Sequence, residues 1–170
     1  EMRFFAWVRI GQLEKGVAQM TKENERLSRA GEAFSRALEI DPSLICLETL
    51  QSRQSLIYCT EDPADRATRA IAFVEWMDSI ADDQVEKSLN RPLVHNFHQF
   101  GNPNPPIRRL SKDCPPYGMD VLEDEIRRFH WEMKRSRETA LGDLIKIIEN
   151  LPTEAEALAD TFREEHRKLS

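Results

Sequence analysis

Apolar residues recur along this chain at intervals of three and four, with almost no alternating runs of β-branched or aromatic residues. That period predicts helices rather than strands nearly everywhere. Phe4, Phe5, Val8, Leu13, Val17 and Met20 outline a first helix in which Gly11 and Gly16 each weaken the helix by about 1 kcal/mol, so packing must hold it. Thr21 is placed to cap a second helix, whose stripe of Leu27, Ala30, Phe34, Ala37, Leu38 and Ile40 runs to Asp41-Pro42. The residue before proline resists helical geometry while proline suits the first helical position, so this dipeptide is expected to end one helix and begin the next.

A third stripe, Leu44, Leu47, Leu50, Ile57 and Tyr58, leads to Glu61-Asp62-Pro63, where Asp62 is the expected N-cap of a fourth helix. The apolar residues of that helix, from Ala67 to Ile80, cover more than half its circumference and imply contacts on two sides. From Asp82, Val85 and Leu89 onward to Phe97 and Phe100 a fifth helix is expected, interrupted or tilted at Pro92. Three prolines in residues 101–106 and the Cys114-Pro115-Pro116 run cannot continue a helix, which places a connector at 101–117. Val121 to Ile148 then outline a long helix of about 45 Å. Pro152 stops it, and a Thr153/Glu156 capping box starts a short return helix through Leu169. The expected architecture is all-α: a helical-repeat-like array of antiparallel hairpins over 1–100, the connector 101–117, and a C-terminal helical hairpin over 118–170.

Composition narrows the functional classes. The 170 residues are 40% hydrophobic and 32% charged, which suits a folded chain with one core. The net charge of −6 disfavours nucleic acid and anionic lipid, and the basic cluster Lys134, Arg135 and Arg137 is offset by Glu132 and Glu138. No apolar run approaches the roughly 20 residues that cross a bilayer, so no membrane insertion is expected. Cys46, Cys59 and Cys114 lack paired spacing and are read as reduced thiols, Cys46 and Cys59 on apolar helix faces. An intracellular, cytoplasmic setting follows as the expectation, with a nuclear one left open.

Candidate chemistry is sparse. Asp82, Asp83 and Glu86 form DDxxE, similar to the metal-binding motif of class I terpene synthases, because carboxylates three and four apart on one helix face can share a hard cation. Acidic residues at a helix start are equally expected from the helix dipole. His95 and His98 have the spacing for one zinc, with Cys114 the only near sulfur, but further ligands are missing and structural roles are favoured. Arg108-Arg109-Leu110-Ser111 resembles a basophilic kinase site at Ser111, and Lys22-Glu23-Asn24 spells a degradation signal where a helix-start role is more natural. No serine or cysteine stands in a nucleophile elbow.

Two resemblances carry further implications. Residues 30–42, AGEAFSRALEIDP, resemble the second helix of a tetratricopeptide repeat through Ala30, Phe34, Ala37 and Pro42; Trp7 and Gly11 echo the first helix at a longer separation than the family pattern. This resemblance implies stacked hairpins that bind a protein partner. Residues 117–162, with YGMDVLEDEIRRF and LGDLIKIIENL, are similar to the start of the C-terminal region of dynein heavy chains, with His130 where that pattern has Asn. There is no GxxxxGK[ST] loop, so this likeness implies no ATPase.

The function expected from all this is a non-enzymatic interaction scaffold or subunit of a larger assembly. It needs no cofactor and binds protein partners or neighbouring subunits through Trp76, Phe129, Met133, Leu144 and Ile148, with its oligomeric state left open. The alternative is a small helical metal-dependent enzyme using Asp82, Asp83 and Glu86.

Overall fold

The computed structural model describes residues 2–91 and 121–150. Within them lie six helices and no strand: α1 (Met2–Thr21), α2 (Asn24–Ile40), α3 (Leu47–Tyr58), α4 (Pro63–Asp78), α5 (Asp82–Leu89) and α6 (Val121–Glu149). The fold is all-α over these residues, as the apolar spacing requires. The expected return helix with its Thr153/Glu156 cap, the distal part of the fifth helix, the 101–117 connector, and His95, His98, Ser111 and Cys114 lie outside the described residues.

α1 and α2 form an antiparallel pair, because contacts run in opposite directions along them. Arg36 lies over the Trp7 ring, Gly11 faces Phe34, and Glu14 reaches Arg26 at 3.1 Å. Gly11 permits the close crossing, since a Cβ there would sit 2.7 Å from the Phe34 ring. α3 runs alongside α1 in the same direction, with Gln12 near Gln51 and Lys15 near Ser55.

Beyond α3, α4 is packed by both α3 and α6, which explains the apolar cover over more than half of its surface. Asp62 caps α4 as the Asp-Pro pair predicts, its Oδ2 accepting the Asp65 N–H at 2.8 Å. α6 is continuous for 29 residues, about 43 Å. One apolar core runs from Phe4, Phe5 and Val8 through Leu44 to Leu50, Phe73 and Met77, to Phe129, Ala140 and Leu144. A smaller cluster of Ala30, Phe34, Leu56 and Cys59 fills the α2/α3 side. α6 thus contributes Phe129, Ala140 and Leu144 to the same core as α1, α3 and α4.

Two local expectations change for identifiable reasons. Thr21 does not cap α2: it is the last residue of α1, its hydroxyl donates to Val17 O, and Lys22 turns the backbone with φ near 60°. Glu23 stands at the N-cap instead, and its carboxylate makes no capping hydrogen bond.

Pro42 does not start α3. Residues 41–46 form a turn and an extended strap that buries Leu44, Ile45 and Cys46 before the helix begins at Leu47. Burying three consecutive apolar side chains would be impossible for a helix with one solvated face, and the strap's polar groups are met by α5 and its C-terminal end. Ser88 Oγ accepts the Ile45 N–H at 2.8 Å, and Arg91 reaches Asp41 at 2.8 Å. The fifth helix stops at Leu89, consistent with the resistance of Arg91, which precedes Pro92, to helical geometry.

The Asp41 contact makes a pH prediction. Burial pushes its carboxyl upward, but hydrogen bonds from Ser43 and Arg91 outweigh this and hold it below its ordinary value of 3.8. A depressed carboxylate stabilises the fold fully above that ordinary value and ceases to do so as pH falls through the folded one. Asp41→Asn is therefore expected to cost about 1 kcal/mol near neutrality. Urea titrations of both proteins should converge below the ordinary carboxylate range, and a cost that persists unchanged there would refute the assignment.

Candidate interaction surface

The carboxylates of the DDxxE motif do not converge. All three lie on the first turns of α5, where Gln84 Oε1 accepts the Ala81 N–H at 3.0 Å. Lys87 binds Asp83 at 2.9 Å and holds its carboxyl below the usual range. Asp82 instead points toward α6, 3.7 Å from His130 Nε2, and Glu86 is exposed. Among the described residues no group of three or more histidine, cysteine or acidic side chains is arranged to hold a metal. No helix among them is long and apolar enough to cross a membrane.

The five residues expected to meet a partner are used inside the fold. Phe129 is fully buried and Leu144 nearly so, while Trp76, Met133 and Ile148 are half-buried against the same core. Trp76 stacks near Phe73, with the Arg53 guanidinium 4.5 Å over its ring. The apolar stripe of α6 is thus covered by α3, α4 and α5. Its flanks are pinned by Arg137 to Asp78 at 2.8 Å and by the Tyr58 hydroxyl to Asp143 at 2.7 Å. The Tyr58 phenol is pushed up to about 12 by burial and by the neighbouring carboxylate. The apolar length of α6 accommodates packing on several helices of the same molecule.

A groove of about 350 Å³ between α1 and α3 holds, besides the Gln12/Gln51 contact, a polar pair that sequence spacing does not reveal. Lys15 Nζ donates to Ser55 Oγ at 3.0 Å and lies over the Tyr58 ring. Burial lowers the Lys15 ammonium from its ordinary value, partly opposed by Cys59, whose thiol burial pushes up. The pair joins residues 40 apart, and only the parallel course of α1 and α3 brings them together. Ser55 sits inside α3, where backbone N–H groups are committed to the helix. The geometry of the pair suits a structural bridge between two helices.

The feature that remains unaccounted for is the outward face of α1. Met2, Leu13 and Met20 are 75%, 70% and 78% exposed, and Ile10 is 43% exposed. At about 100° per residue, Met2, Ala6, Ile10, Leu13, Val17 and Met20 fall within about 80° of one another. Phe4, Val8, Gly11 and Ala18 are buried on the other side. From Ala6 onward the outer residues follow intervals of four, three, four and three, the spacing of a two-helix seam. Among the described residues α1 is therefore apolar on two opposite faces, only one of which the other described helices cover. The sequence carries this signal in full, but a single list of apolar positions merges the two stripes, and only burial separates Leu13 and Met20 from Phe4 and Val8. Arg3 and Arg9 flank the stripe, while Glu14 is engaged by Arg26.

Compared with known proteins, the sequence matches no family model, and neither a curated protein nor a solved structure matches it.

Proposed function

We propose that this protein is a non-enzymatic helical scaffold, or a subunit of a larger assembly, that docks a helix with an apolar seam along the outer face of α1. The observation that carries this reading is the exposed Met2, Ile10, Leu13 and Met20 stripe, opposite the buried face of the same helix. Scattered exposed apolar residues need no explanation, but a continuous row on one helix is the pattern of helix-to-helix recognition. The tetratricopeptide-like segment Ala30 to Pro42 supports the same reading, since the resemblance implies stacked hairpins that bind a protein partner. Net acidity and the dispersed carboxylates of α5 favour no nucleic-acid or metal-dependent alternative.

The test is a photo-crosslinking amino acid placed at position 13, compared with the same group at exposed Thr68 on α4. A discrete adduct of defined mass is expected from position 13 alone, lost when Met20→Glu is added. Equal labelling from both positions, or none from 13, would remove the basis for this function.

A further inference from the structure

We propose that the groove between α1 and α3 binds a small carboxylate-bearing ligand, whose carboxylate sits against the Lys15 ammonium. The site is separate from the outer face of α1 and stands whether or not that face receives a helix.

Two polar rows make the groove. Gln12, Lys15 and Gln19 recur on α1 at intervals of three and four, and Gln51, Ser55 and Tyr58 recur on α3 in the same way. Because the two helices run in the same direction, residues 39 or 40 apart meet, Gln12 with Gln51 and Lys15 with Ser55. Gly16 stands beside the α1 row without a side chain, and nothing lies within 4 Å of where its Cβ would be. That omission helps keep open the volume of about 350 Å³, near the lower end of the roughly 300–1,000 Å³ of ligand sites.

Charge selects the ligand. Among the described residues that line the groove, Lys15 alone is charged. Burial disfavours its ammonium, and no carboxylate opposes that effect; the one counter-influence is the Cys59 thiol, which burial keeps protonated. Of the acids nearby, Glu14 is engaged by Arg26 and Asp143 by the Tyr58 hydroxyl. Among the described residues only one of the three Lys15 N–H groups has a hydrogen-bond acceptor, Ser55 Oγ at 3.0 Å. A half-buried cation with no opposite charge is unfavourable, and a ligand anion relieves it.

The uncommitted groups beside Lys15 are donors as well. The Gln12 amide oxygen accepts from Arg9 at 2.9 Å and the Gln51 oxygen accepts from Gln12 at 3.4 Å, which leaves Gln51 its NH2 group to offer. One cation flanked by amide donors matches the single charge of a carboxylate, whereas a doubly charged phosphate would call for a second cation.

Titration of the isotope-labelled full-length protein with hippurate, followed by its amide resonances, gives the test, with the uncharged hippuramide as control. Saturable shifts are expected over residues 12–19 and 51–58, with a Kd of about 1 mM for a ligand of about a dozen non-hydrogen atoms. Hippuramide should bind at least about tenfold more weakly, as should hippurate to Lys15→Gln, because each change removes a charge-assisted hydrogen bond. Gly16→Leu keeps the lysine and fills the open space, so it should abolish the shifts and decides the matter if Lys15→Gln unfolds the chain. A hexapeptide ending in a glycine carboxylate separates a free acid from the end of a polypeptide, and should bind no more tightly than hippurate.

Absence of saturable shifts with hippurate overturns the site. So does equal binding of hippuramide, or binding that survives Gly16→Leu. A hexapeptide bound markedly more tightly than hippurate overturns the assignment to a small ligand.

Discussion

Phe129→Ala is expected to destabilise the folded protein by about 3–5 kcal/mol, the range for removing a fully buried aromatic ring. The size of the loss matters less than its form. Phe129 projects from α6 into the core that also holds Phe73, Met77, Val85 and Leu89, so its ring touches the same cohesive unit as the N-terminal helices. Urea unfolding followed by far-ultraviolet dichroism should move as one transition, with its midpoint displaced and its slope kept. Ile145→Ala on the same helix removes a half-exposed side chain and should change stability by no more than about 0.5 kcal/mol. If Phe129→Ala splits the curve into two steps, or costs less than about 1 kcal/mol, α6 is an appendage and the single core is refuted.

The contrast between Phe129 and Leu13 shows what the sequence can convey. Both lie on apolar helical stripes and neither has a polar neighbour that singles it out, yet one is fully buried and the other 70% exposed. Periodicity identifies helices and the axis of a stripe; it does not say whether the cover comes from the same molecule. Among the described residues the cover of α6 is internal, and for α1 half of it is. Punctuation was legible where one residue's chemistry decides the outcome, as with Asp62 capping α4 through a 2.8 Å hydrogen bond. At Asp41-Pro42 it was half right: α2 ends at Ile40 as expected, but the local preference of proline for a helix start lost to burial of Leu44, Ile45 and Cys46 and to the Arg91 and Ser88 contacts some 43 to 50 positions away. The Lys15/Ser55 bridge was illegible for the same reason, since it exists only once α1 and α3 lie side by side.

The two glycines of α1 should respond to alanine in opposite directions. A Cβ on Gly16 meets nothing within 4 Å, so Gly16→Ala should stabilise the fold by up to about 1 kcal/mol through helix propensity and a less flexible unfolded state. A Cβ on Gly11 falls 2.7, 2.8 and 2.9 Å from three carbons of the Phe34 ring, where carbon contacts settle at about 3.5–4 Å. The ring cannot yield cheaply, because it is buried with Ala30, Leu56 and Cys59 around it. Overpacking of this kind costs about 1–3 kcal/mol, so Gly11→Ala should be net destabilising by up to about 2 kcal/mol once the propensity gain is subtracted. Since both substitutions gain the same propensity, the difference between them isolates the steric cost at the α1/α2 crossing. Trimming the ring tests the cause: in a Phe34→Leu background the Gly11→Ala penalty should shrink markedly, a coupling that double-mutant analysis reads directly. Equal stabilisation by the two glycine substitutions, or a Gly11→Ala cost indifferent to residue 34, would show that α1 and α2 do not cross this closely and would unseat the hairpin that turns the second face of α1 outward.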